Sequence, residues 1–246
     1  MSFDPASENR VVPGDQPYPF WGWADLLLLL GGLIPSFAGA MGVLLLVKLV
    51  LGPEASKAVQ VLTLQFAVYG FWFLALYLLF RLYHRQPFWQ SLAWNYRLPL
   101  VLRNLAFGPA LAVAILLTAA LLRTPKIDMP MEELLQDRFS VALIGLFATT
   151  LGPLCEELVF RGFLMPMLCR ALGAVAGITL AAVPFALLHG PQYAWSWRHV
   201  CLIGLAGVAF GWVRFKSGST AAATAIHCTY NAAILAGYLI SEGDML

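Results

Sequence analysis

SVALIGLFATTLGPLCEELVFRGFLMPML, residues 140–168, is apolar over the length of a membrane-spanning helix yet carries Glu156, Glu157 and Arg161 past its middle. A spanning helix needs roughly 20 consecutive apolar residues. An ionisable side chain in the hydrocarbon region costs about 2.5–3.5 kcal/mol even on insertion scales. Charges persist there when they pair, line a wet cavity or do chemistry. This stretch therefore implies a membrane-embedded chain with a reason to keep charge inside it.

The remainder of the chain agrees. It is 60% hydrophobic and 11% charged over 246 residues, with a mean hydropathy of +0.76. A soluble globular domain is excluded, because so much apolar surface could not be covered in water. The apolar runs are continuous, which favours helices over the alternating pattern of a barrel. They lie near 21–50, 58–81, 104–122, 140–168, 172–190, 199–214 and 219–240. The expected fold is all-α, a polytopic transmembrane helical bundle of about seven to eight spans. A polar N-terminal tail over 1–20 precedes a single transmembrane domain over 21–246, whose chemistry-bearing core lies at about 140–235. The tail lacks the basic start and short apolar core of a cleavable signal peptide.

Local signals refine this. Gly31, Gly32 and Pro35 predict a bend in the first run. Gly152-Pro153 predicts a fresh first turn at Leu154, since proline favours a helix start. Residues 82–98, with Phe88, Trp89, Trp94 and Tyr96, suit a segment at the headgroup level. Nine of the fifteen lysines and arginines fall on the side of the N-terminus, Arg161 among them, which favours a cytoplasmic N-terminus. The four cysteines form no CxxC pair and read as small packed hydrophobes. Net charge is +2 and no basic patch suits nucleic acid.

Glu157 and Arg161 are four apart, so on a helix they face each other in the favourable order and can neutralise one another. Glu156 lies about 100° around the helix from Glu157, with no cation at three- or four-residue spacing. A lone carboxylate in that setting suits a general acid or base, or else a protonated group bonded to a neighbouring helix. His189 follows Phe185 by four and precedes the turn signal Gly190-Pro191. His227 and Asn231 are also four apart, placing an imidazole beside a carboxamide. Gly204, Gly207 and Gly211 mark a face for close helix approach. Counted from the ends of the runs, Glu156 falls well inside the membrane, His227 toward the cytoplasmic side and His189 toward the outer side. A joint site requires them to line one cavity nonetheless.

Glu156-Glu157-Leu-Val-Phe-Arg161, Phe185-Ala-Leu-Leu-His189 and His227-Cys-Thr-Tyr-Asn231 resemble the EExxxR, FxxxH and HxxxN motifs. Those motifs belong to the CAAX-protease and bacteriocin-processing family of intramembrane endopeptidases, which includes the type II CAAX prenyl endopeptidases. The resemblance covers roughly residues 140–235, with the motifs in order on successive runs. It implies that Glu156 and His189 activate water, that His227 and Asn231 stabilise the oxyanion, and that Glu157, Arg161 and Phe185 support the site. The implied substrate is a lipidated, CAAX-type, or membrane-associated peptide or protein, prenylated or not, and the implied setting is a bacterial plasma membrane, with membrane lipids as partners.

No cofactor is favoured. A divalent metal such as zinc remains open, with Glu156, His189 and His227 as its ligands, because the set matches the donor types of catalytic zinc. Two other classes also stay open at this level: a proton- or ion-coupled transporter using the same charges as a relay, and a non-catalytic immunity or scaffold protein.

Overall fold

The computed structural model describes residues 17–52, 56–96, 98–125, 127, 133–135 and 137–242. Of the tail expected over 1–20, residues 1–16 lie outside the described residues. Among the described residues the regular structure is helical. Its elements are α1 (Trp23–Gly31), α2 (Leu33–Leu51), α3 (Lys57–Leu78), a π turn (Leu79–Tyr83), α4 (Phe88–Ser91), α5 (Leu98–Leu105) and α6 (Phe107–Leu121). There follow α7 (Arg138–Thr149), α8 (Leu151–Glu157), a π segment (Leu158–Leu164), α9 (Met165–Leu172), α10 (Ala174–Leu188), α11 (Trp197–Ser217) and α12 (Thr220–Glu242).

Each apolar run of the sequence becomes one rod of the bundle, some of them jointed. Trp23–Leu51, Lys57–Tyr83, Arg138–Leu172 and Trp197–Ser217 are long and apolar enough to cross a membrane by length and composition, while Phe107–Leu121 and Ala174–Leu188 are apolar but shorter. The outer surface is apolar as lipid requires: Ile34, Leu46, Leu49 and Val50 on α2 are all exposed. The chain is an integral membrane protein.

The joints fall where backbone chemistry permits. α1 and α2 are separated by Gly32 alone, whose φ of −65° and ψ of −17° stay in the right-handed region. The rod from Arg138 to Leu172 breaks at Thr150, whose φ of −132° and ψ of −81° are non-helical. The fresh helix therefore begins at Leu151, three residues before the predicted first turn. Pro153 then sits in the first turn of α8, where its missing N–H has no intrahelical partner to lose.

Small residues set the crossings. A Cβ on Gly108 of α6 would stand 2.0 Å from Thr229 Oγ1 and 2.5 Å from the Tyr230 nitrogen of α12. Only hydrogen fits there, so α6 and α12 touch backbone to backbone. Gly211 brings α11 onto Ile178 of α10 in the same way, where a Cβ would meet Cγ2 at 2.9 Å. In lipid such close packing does what the hydrophobic effect does in water.

Two readings of the sequence change. The 82–98 segment is in large part core: Phe88, Leu92 and Ala93 are buried, and Trp94 packs against them, while Trp89 and Tyr96 are exposed. Phe88 and Leu92 are four apart and so share the inward face. Arg161, counted with the charges of a turn, is buried in the π segment and carries no topological information.

Candidate active site

The π segment follows Glu157 without interruption and presents Arg161 inward. Arg161 Nη1 donates to Glu157 Oε1 at 2.8 Å, and Nη2 donates to the Gly207 carbonyl of α11 at 2.7 Å. Both side chains are essentially inaccessible, at 1% and 0% exposure. The guanidinium also stacks over the Phe185 ring, 4.4 Å from its centroid. The expected pair is present, and its second function was not visible in the sequence. The same Oε1 accepts from His227 Nδ1 at 2.9 Å. Glu157 thus joins α8 to α12 as well as to its own helix. Its other oxygen, Oε2, has no hydrogen-bond partner among the described residues.

His227 is held on three sides. Phe210 of α11 stacks on it with centroids 4.4 Å apart and planes inclined 21°, and Phe185 meets it edge-on at 5.7 Å. Its Nε2 faces Glu156 Oε2 at 3.8 Å. Glu156 is partly accessible, at 19% of its side chain. The carboxylate that lacked a cation along its own helix finds an imidazole from another.

His189 caps α10, its Nδ1 donating to the Phe185 carbonyl at 2.8 Å. That carbonyl lies in the last turn, where helices leave acceptors unpaired. The His189 ring lies 4.8 Å from the Phe185 ring, so Phe185 touches Arg161, His189 and His227 at once. His189 forms no hydrogen bond to Glu156 among the described residues. α10 is 15 residues long, about 22 Å, which is shorter than a bilayer core of roughly 30 Å. Asn231 Nδ2 donates to the Ala148 carbonyl at the end of α7 at 2.7 Å, leaving one amide hydrogen uncommitted among the described residues.

The partners of the two histidines distinguish them. A carbonyl can only accept, so His189 carries its proton on Nδ1 and offers an Nε2 lone pair. His227 gives its Nδ1 proton to the Glu157 carboxylate, which orients the ring so that Nε2 faces Glu156. Arg161 and His227 thus set two basic side chains against the two carboxylates, which lowers the cost of burying them.

Among the described residues no three His, Cys, Asp or Glu side chains converge to hold a metal ion. The three ligands considered for zinc, Glu156, His189 and His227, are not gathered in that way. Cys155, Cys169, Cys201 and Cys228 are all free.

Residues 138–233 match the model of the family described as type II CAAX prenyl endopeptidase Rce1-like. This segment is similar to that family. It runs from the first residue of α7 into α12 and contains all three motifs. The similarity of this segment supports a CAAX-type intramembrane endopeptidase in general terms. No curated protein and no solved structure matches the chain.

Sequence reasoning missed two contributors within the Rce1-like segment. One is the Gly207 carbonyl, and the other is the Phe210 ring. The glycine was legible as a packing residue, and indeed a Cβ there would press within 3.2 Å of Arg161 Nη2 and 3.0 Å of Phe185 Cδ1. That a carbonyl would be exposed to a guanidinium by this close approach had no signal. Phe210, three residues along on α11, had none beyond sharing that face.

Proposed function

We propose that the chain hydrolyses a peptide bond of a lipidated, CAAX-type, or membrane-associated peptide, with Glu156 and His189 activating water and His227 and Asn231 holding the oxyanion. The observation that carries this reading is His227, clamped by Glu157 at 2.9 Å and facing Glu156 at 3.8 Å. Glu156 takes a proton from water as the water oxygen bonds to the scissile carbon, and the lone pair of His189 is a second acceptor for that water. The oxyanion faces the Nε2–H of His227 and the free amide hydrogen of Asn231. Collapse breaks the C–N bond, and the proton on Glu156 passes to the departing nitrogen. The buried pair Glu157–Arg161 holds the imidazole and does not touch substrate. The reading is metal-free, in keeping with the lack of a converging ligand set among the described residues.

The test uses the full chain in lipid nanodiscs and internally quenched peptides ending in a CAAX box, with S-farnesyl or unmodified cysteine. Glu156→Gln should lower kcat by roughly a hundredfold or more, within the usual contribution of a general base, while the variant remains folded. Equal cleavage by Glu156→Gln and the parent would sink the assignment. Proton-coupled uptake with no cleavage would favour a transporter.

A further inference from the structure

We propose that Trp21, which lies far outside the Rce1-like segment, is a positioning residue for that segment's site. It acts by holding the π segment that carries Arg161. The inference rests on the proposed hydrolytic reading for its kinetic consequence but not for its structural one.

Trp21 is fully buried, at 0% exposure. Its indole Nε1–H donates to the Phe163 carbonyl at 3.0 Å, and its ring stacks on the Phe163 ring at 5.6 Å with planes inclined only 9°. One residue of the π segment is thus gripped by both its backbone and its side chain. Next to it, Gly162 lies against Leu92, whose Cβ and carbonyl oxygen would each stand 3.2 Å from an added Cβ. Residues 21 and 92 together wall one side of the π segment. Arg161, two positions from Phe163 and so on roughly the opposite face, projects from the other side toward Glu157 and Gly207.

π segments are rare, short and concentrated at functional sites, since the wider turn is intrinsically poorer than the α-helix. One that must present a guanidinium to within hydrogen-bond distance needs external support. The indole supplies that support through a directional bond. Trp21 is itself anchored: Arg170 of α9 donates from Nη1 to the Pro19 carbonyl and from Nη2 to the Trp21 carbonyl, the latter at 3.2 Å. The path from Trp21 to the reacting groups is short. It runs from Phe163 to Arg161 along the backbone, then through Glu157 Oε1 to His227 Nδ1.

The deciding variant removes the N–H and keeps the shape: benzothienylalanine in place of Trp21, in which sulfur replaces the indole N–H; Trp21→Phe, which removes the bond and part of the ring together, is made beside it. Both are made in the full chain in nanodiscs. Two measurements are taken: kcat and KM on the S-farnesyl peptide, and the ¹⁵N-imidazole resonances of His227, with His199 as the internal control. His199 bonds Ser196, away from this path. The expected result is a fall in kcat of roughly ten- to a hundredfold, as for other residues that orient catalytic ligands, with KM changed less than about twofold, and shifted His227 resonances with those of His199 unmoved. Benzothienylalanine at wild-type kcat with unshifted His227 resonances overturns the proposal, as does a change confined to KM. Should the parent chain cleave none of the peptides, the hydrolytic reading falls, and the His227 resonances alone decide the role of Trp21.

Discussion

Glu157 and His227, seventy residues apart, share one hydrogen bond of 2.9 Å, and the oxygen that accepts it also accepts Arg161 at 2.8 Å. A single carboxylate oxygen therefore ties the turn of α8 into the π segment to the middle of α12. The proposed oxyanion role of His227 depends on this bond, because it sets which nitrogen of His227 faces Glu156.

Glu157→Gln isolates the charge from the shape. The amide oxygen can replace Oε1 as acceptor for both Arg161 and His227, while the amide nitrogen occupies the place of Oε2, which has no partner among the described residues. The negative charge beside His227 Nδ1 is then gone while the acceptor remains. We expect kcat to fall roughly ten- to a hundredfold, the usual effect of removing such an orienting group, in initial-rate assays on the quenched peptide.

Arg161→Lys should not substitute. The guanidinium reaches Glu157 and the Gly207 carbonyl with two nitrogens while lying flat over Phe185 at 4.4 Å, a planar fork that an ammonium does not reproduce. Arg161→Ala leaves Glu157 as an unpaired buried charge and is expected to lose about 3–5 kcal/mol of stability. Denaturant titration in mixed micelles measures it, and Arg161→Lys should fall between Arg161→Ala and the parent.

Gly207→Ala and Gly204→Ala separate two glycines on one helix face. The new methyl at position 207 would stand 3.0 Å from Phe185 Cδ1 and 3.2 Å from Arg161 Nη2, whereas at 204 its nearest neighbour is Ala186 Cβ at 3.6 Å, ordinary contact. Activity should drop at least severalfold for Gly207→Ala and stay near the parent for Gly204→Ala. Equal effects of the two would contradict the role given to the Gly207 carbonyl.

Chelation distinguishes the metal-free scheme from the zinc scheme. Protein dialysed against a membrane-permeant chelator is expected to retain its kcat, with metal analysis of the same sample as the check. Loss of activity restored by zinc would return Glu156, His189 and His227 to consideration as ligands.

Asp137 offers a pH test outside the membrane spans. Its carboxylate accepts from the Ser140 hydroxyl at 2.6 Å and the Ser140 backbone N–H at 2.9 Å, capping α7. These bonds, the hydroxyl's first, hold its pKa below the ordinary aspartate value. A group with a depressed folded pKa contributes its stability above the unfolded value and loses it as pH falls through the folded one. The gap in thermal midpoint between parent and Asp137→Asn should therefore be full near neutral pH and close in acid, below the normal carboxylate range.

What could be read in the chain followed from one-dimensional physics. Continuous apolar length implied helices in lipid, and each run became a rod of the bundle. Four-residue spacing implied that Glu157 faces Arg161, because one helix carries both and its periodicity is known. The motifs around Glu156, His189 and His227 carried the resemblance that the Rce1-like match then supported. The break at Thr150 was misplaced by three residues, since proline signals a helix start without specifying which residue leaves the helix before it.

The sequence by itself determined the medium, the helical class and the pairing within α8 and the π segment, for all of these depend on composition and local spacing. Only the tertiary structure decided that Glu157 also holds His227, that the Gly207 carbonyl receives Arg161, that Glu156 faces His227 more closely than it engages His189, and that Trp21 grips Phe163. The reason is that helices in lipid are apolar nearly all round, so the hydrophobic pattern does not say which face turns inward. Rotation and depth are chosen by small-residue contacts such as Gly108 on Thr229 and Gly211 on Ile178. Those contacts bring together residues that no spacing along the chain relates.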